Sequence, residues 1–301
     1  MIKTQKEKTK SRRERRKLRF AYLLLIPWLV FFLVFKLFPF VFGIGASFTD
    51  YSLKGAKFIG LKNYAGIFTD DKFWISLRAN IFYLIIIVPC TILFSLWVAK
   101  ILQNRGNAFN AVTKSVFYMP ALVCSVVIAT IWRFLFSSTA GIVPWIINSA
   151  GLRSPSFFDE PLFSIPLMSI MVIVGSVGQP IILYVAAMGN IPMEYIEAAA
   201  VDGATQGQIF RKITLPLLKP TTVYILITSM IAVLQIFAYP YLLTSGGPYH
   251  ATSSILLQLY QSAFISGKFG YASALGTILF VITSVFVALQ LKFVNRGGED
   301  G

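Results

Sequence analysis

Apolar residues in this 301-residue chain fall into six blocks, 20–47, 75–100, 113–136, 163–189, 217–242 and 269–293. Of the 39 charged residues, 32 lie outside these blocks, in the two tails and the shorter segments between blocks. A helix rising 1.5 Å per residue needs about 20 apolar residues to cross some 30 Å of hydrocarbon, and every block meets that length. The pattern predicts six transmembrane helices and an all-α polytopic membrane protein. A β-barrel would read instead as alternating segments of about ten residues, and no such alternation runs through the chain. The first block exceeds the h-region of a signal peptide, about 7–15 residues, and no small-residue cleavage site follows it, so it is predicted to be a retained span. Lys36 lies near its outer end, where a long side chain can reach the interface. The organisation expected is a tail at 1–19, one transmembrane domain at 20–293 and a short C-terminal tail at 294–301.

Composition agrees: 56% of residues are hydrophobic and 13% charged, against roughly half and a quarter in soluble domains. Charge placement sets an orientation. Ten Lys and Arg residues crowd into positions 1–19. If that tail is cytoplasmic, six spans put eighteen basic residues inside and six in outer loops, so the positive-inside rule predicts both termini in the cytoplasm. The net charge of +15 is thereby assigned to topology and anionic lipid rather than to nucleic acid. Cys90 and Cys124 fall inside predicted spans as small apolar side chains, and His250 is the only histidine; neither type builds a metal site or a disulfide framework.

A phosphate-binding loop of the form G-x-x-x-x-G-K-[ST] is approached only by Gly55–Lys62, where Leu61 follows the second glycine and breaks the pattern. No predicted span contains Asp or Glu, which argues against a carboxylate proton relay. The chain reads as a pore without an engine of its own.

The polar segment at 190–220 stands apart. Asn190 is placed to cap a helix and Pro192 to open it, with Glu194 and Glu197 in its early turns offsetting the helix dipole. Ala198, Ala199, Ala200 and Ala204 favour helix, and Gly203 permits a sharp turn or close approach of another backbone. A second helical stretch is predicted to bury Ile209, Phe210, Ile213 and Leu217 on one face, with a kink at Pro216 and Pro220. Two short amphipathic helices could lie in the interface. Their small-residue tip equally suits insertion into a groove on a partner protein.

The run Glu197-Ala-Ala-Ala-Val-Asp202-Gly203-Ala204, continued by Phe210, Ile213, Pro216 and Pro220, closely resembles the EAA loop of permease subunits in binding-protein-dependent ABC importers. Phe58–Tyr64, Trp132–Phe136, Trp145–Asn148 and Thr244–Pro248 resemble the carbohydrate branch of that family, the sugar permeases of the maltose and glycerol-phosphate type. The resemblance covers nearly the whole chain after residue 20; His250 departs from it, standing where the family often has asparagine or alanine. It implies a type I importer permease fold in a bacterial or archaeal cytoplasmic membrane. It further implies that the loop at 190–216 is a coupling helix, with Glu197, Ala198, Asp202, Gly203 and Ala204 contacting an ATPase. Implied partners are two ATPase subunits, a second homologous permease and an extracytoplasmic sugar-binding protein, with no nucleic acid. The chain would hold no cofactor and catalyse no reaction, since ATP and Mg bind the ATPase. The work would be alternating access, one subunit converting another's motion into a moving gate.

Sugars are held by aromatic faces, amides and hydroxyls. Gln235 and Tyr239, four residues apart on a predicted helix, share one face, and Gln179 and Tyr184 lie in the fourth span. These four are candidates for the translocation path; for Gln235 and Tyr239 interhelical hydrogen bonding is the competing role. An ion-coupled secondary carrier of a small polar solute is the alternative function.

Overall fold

The computed structural model describes residues 17, 19–20, 22–103 and 105–296. Most of the basic tail and residues 297–301 of the C-terminal tail, which carry part of the orientation argument, lie outside the described residues. Within them the chain is helical, and its only extended pairing is a set of isolated bridges at 49–58, 52–55 and 52–268.

Three helices are long and apolar enough to cross a bilayer unbroken: α1 (Tyr22–Ser47), α3 (Asp71–Gln103) and α13 (Phe269–Arg296). Between α1 and α3 lies a short α2 (Lys62–Thr69). Three more apolar blocks form bent pairs. They are α4 (Asn107–Leu122) with α5 (Ser125–Leu135), bent by 93°; α7 (Pro161–Ser176) with α8 (Gly178–Gly189), by 48°; and α10 (Gln206–Leu217) with α11 (Lys219–Leu234), by 62°. Short helices α6 (Ile142–Ser149), α9 (Met193–Val201) and α12 (Ile255–Ile265) occupy the connections.

Each apolar block is helical over most of its length, with breaks that periodicity does not show. The fifth block corrects the sequence reading most. It was expected as one helix to residue 242, but α11 stops at Leu234, Gln235 leaves helical geometry at ψ 19°, and the chain resumes as a π turn at Pro240–Thr244. Pro240 brings no N–H and crowds the carbonyl one turn before it, so a straight helix through it is unfavourable. In an apolar interior the freed carbonyls need donors. Asn80 of α3, with no exposed surface, supplies one: its amide donates to the carbonyl of Leu234 (3.2 Å) and, at 3.4 Å, to that of Val233, which also accepts from the Ile236 N–H. The same side chain's oxygen accepts from the Ile255 N–H at 3.0 Å, capping the start of α12.

Around this node sits the main core. α3 is the central element, packed on α7, α8, α11 and α12. Tyr83 and Ile87 of α3, Met168 and Met171 of α7, Leu234 of α11 and Leu275 of α13 are all buried in one cluster. The Tyr83 hydroxyl donates to the carbonyl of Thr252 at 3.1 Å, fastening the segment before α12 to the same helix. On the other flank α4 lies against α8, and their approach is set by Gly178. A Cβ there would stand 2.6 Å from the carbonyl oxygen of Phe117 and 2.7 Å from the Cα of Tyr118, so only glycine lets the two backbones meet. α1 touches α13 by its C-terminal part, and its apolar stretch is wholly unburied within this chain.

Candidate functional site

The segment at 190–216 folds as the predicted pair of helices about a glycine, with corrections at both starts. Asn190 does not cap α9. It closes α8, its N–H donating to the carbonyls of Ala186 and Ala187 at 3.2 and 3.3 Å. Pro192 occupies the N-cap of α9 rather than its first turn. Glu194 lies in the first turn, where the dipole favours it; Glu197 is mid-helix and exposed. None of α9 is buried.

α9 ends in a hydrogen-bonded turn at the predicted glycine. Gly203 has φ +78°, its N–H donates to the Ala200 carbonyl (3.0 Å), and the Ala204 N–H donates to the Ala199 carbonyl (2.9 Å). This is the Schellman arrangement, which satisfies carbonyls left open at a helix end and requires a left-handed residue. No atom lies within 4 Å of a Cβ built on Gly203. Glu197, Ala198, Asp202 and Gly203 are exposed and Ala204 is half-buried. The five residues therefore form an open knuckle that touches little of its own chain.

Sequence reasoning missed the residue that restarts the helix. Thr205 accepts from the Gln208 N–H (3.4 Å), and the Gln208 side chain accepts from the Thr205 N–H (2.7 Å), a reciprocal capping box. The Thr-x-x-Gln spacing was the available signal. α10 then buries Ile209, while Lys100 of α3 sets its ammonium 4.2 Å above the Phe210 ring. The predicted inward face fails at its far end: Leu217 is exposed and Leu218 is fully buried. A π turn at Phe210–Thr214 inserts an extra residue into the helical repeat and shifts everything after it. The expected kink appears as the 62° bend at Leu218, between Pro216 near the end of α10 and Pro220 in the first turn of α11. Behind α9 and α10 lies a cavity of about 710 Å³, bordered by Lys100, Asn110, Met188, Ile196 and Phe210.

The four candidate path residues are placed differently. The break after Leu234 separates Gln235 from Tyr239, so they do not share one helix face as expected. Gln235 and Gln179 are exposed within this chain and Tyr239 is half-buried. Tyr184 is fully buried, and its hydroxyl donates to Thr222 Oγ1 at 3.0 Å, which in turn donates to the Leu218 carbonyl at 3.0 Å. That chain of bonds ties α8 to the bend between α10 and α11. The break after α11 also gathers Phe237, Tyr241 and Tyr260, with ring centroids 5.1–5.2 Å apart.

Residues 91–297 match the family model described as the binding-protein-dependent transport system inner membrane component. A probable ABC transporter permease protein of Bacillus subtilis, YesP, is 33% identical over 94% of this chain and 93% of its own length. MalF, the trehalose/maltose transport system permease protein of Thermococcus litoralis, is 29% identical over 96% of this chain and 98% of its own. Among solved structures, a chain of the bacterial ABC transporter involved in import of the acidic polysaccharide alginate superposes with a TM-score of 0.82. It covers 94% of this chain and 98% of that one at 23% identity, a likeness of fold. The family match over residues 91–297 and the 33% identity to YesP over nearly the whole chain show that this chain belongs to the family of binding-protein-dependent transport system inner membrane components.

Proposed function

We propose that this chain is the transmembrane permease subunit of an ATP-driven sugar importer. Family membership supports the transport role, and relatives named for trehalose/maltose and for multiple sugars support the substrate class. The observation that carries the coupling reading is the exposed α9–Gly203 knuckle, which has no fully buried residue and holds the residues that match the coupling loop. In this reading each bent pair is one span, giving six with both termini cytoplasmic, and the domain runs from 20 to 293 between its two tails.

Glu197, Ala198, Asp202, Gly203 and Ala204 seat in a cleft of an ATPase, which binds the ATP and Mg2+. Two ATPases, a second permease and an extracytoplasmic sugar-binding protein complete the assembly; α1 presents its unburied apolar flank to lipid and to the second permease. Closure of the ATPases displaces α9, and the capping box at Thr205 and Gln208 passes the motion to α10. The Lys100–Phe210 contact engages α3, while Leu218 and the Thr222–Tyr184 bonds engage α8 and α11. The gate moves because these contacts join the knuckle to the core. Gln179, Gln235 and Tyr239 face the path, with the rings of Phe237 and Tyr241 as a stacking surface for a sugar; Tyr184 serves packing between helices. Nothing in the family match favours the ion-coupled carrier.

The test is gentle detergent extraction of the tagged chain and mass spectrometry of what accompanies it. An ATPase subunit and a second permease are expected. Recovery of the chain alone, even after cross-linking at 194–206, would refute the coupling reading.

A further inference from the structure

The inner end of α3 carries an outward stripe that the transport mechanism does not use. Leu93, Trp97 and Ile101 follow one another at four-residue intervals and are 65%, 59% and 40% exposed, so one helix face is apolar and unpacked within this chain. It ends in a depression of about 430 Å³ lined by Trp97, Lys100, Ile101 and Arg105. Its two cations are held in place from different elements. The Lys100 ammonium lies 4.2 Å above the Phe210 ring of α10, and the Arg105 guanidinium 5.7 Å from the Phe109 ring of α4. Ring contacts of this kind position a charge while leaving its other donors open.

We infer that this depression is a binding site for one anionic phospholipid of the inner leaflet, its phosphodiester between Lys100 and Arg105 and an acyl chain along Ile101, Trp97 and Leu93. Two positive donors at a membrane interface match a phosphodiester in charge. In the proposed topology the Trp97 indole, near the end of α3, lies at the interface where tryptophan prefers to be. The continuous apolar stripe decides for a lipid over a soluble phosphate, which has no chain to lay along it. Lys100 also borders the cavity behind the coupling loop. The headgroup therefore engages the same ammonium that rests on Phe210, and its presence is felt in α10.

The inference rests on the proposed orientation, with the end of α3 at the cytoplasmic face. Its test reads lipid retention by the full chain, a quantity independent of uptake and of ATPase recovery. The purified protein is doped with equal amounts of phosphatidylglycerol and phosphatidylcholine and analysed by native mass spectrometry. Wild type should keep phosphatidylglycerol in preference. Lys100→Gln with Arg105→Gln should lower that retention roughly tenfold or more, at about 1 kcal/mol per charge. Lys54→Gln with Lys57→Gln, which removes equal charge from the loop before α2, should leave it unchanged, and Lys100→Arg should preserve it whatever the double variant does to folding. Equal loss in both double variants, no loss at Lys100 and Arg105, or loss in Lys100→Arg would overturn the site. Displacement of phosphatidylglycerol by millimolar inorganic phosphate would overturn the lipid as occupant.

Discussion

At Gly203 a single backbone angle decides the shape of the knuckle. With φ +78° and open space around it, the position demands left-handed conformation and imposes no steric limit from its own chain. Asparagine adopts that region at modest cost, whereas a β-branched residue is strained there, by about 1–2 kcal/mol. Gly203→Asn should therefore retain most of the uptake. Gly203→Val should lose at least tenfold at unchanged abundance in the membrane. Transport assays on matched membrane preparations decide it, and equal uptake by the two variants would remove the turn from coupling. Asn80 is the opposite sort of residue: its importance is invisible locally, because the carbonyls it serves lie more than 150 positions away. Only the meeting of α3 with the broken end of α11 gives that amide three bonds.

Among elements, α10 shows how one inserted residue redirects a helix face. Periodicity from Ile209 places Leu217 inward; the π turn at Phe210–Thr214 puts Leu218 there instead, fully buried with Tyr184 and Ile225. Truncating a buried leucine costs about 2–5 kcal/mol, whereas an exposed one costs little. Leu218→Ala should lower the thermal midpoint of the detergent-solubilised protein by several degrees, and Leu217→Ala should leave it near wild type. Equal shifts would mean that the helix keeps its regular repeat. The bends at Leu218 and after Leu122 and Leu234 share a logic: a proline in or near each removes a backbone bond, and neighbouring groups decide where the chain turns.

For the whole molecule, the proposed topology is testable by labelling from each side. With Cys90 and Cys124 replaced by alanine, a cysteine at Lys57 should react with a membrane-impermeant maleimide on intact cells. One at Lys212 should react only after permeabilisation. The reverse pattern would invert the orientation, and labelling of both from outside would break the six-span reading.

How much of this was legible beforehand follows from where the deciding forces lie. The six apolar blocks, their helicity and the small-residue knuckle could be read from the chain, because bilayer thickness, backbone satisfaction and the conformational freedom of glycine act on local composition. Thr205 and Gln208 were legible in principle through their spacing. The break after Leu234, the register shift in α10, the close approach at Gly178 and the burial of Tyr184 were not. Each depends on which distant group supplies a hydrogen bond or occupies a space, and such a partner exists only once the helices are packed. Local composition is enough to specify a set of apolar helices with an exposed polar knuckle; where those helices bend, and which side chains join the knuckle to the core, emerges only on packing, because close contact and the pairing of buried polar groups act between residues far apart in the chain.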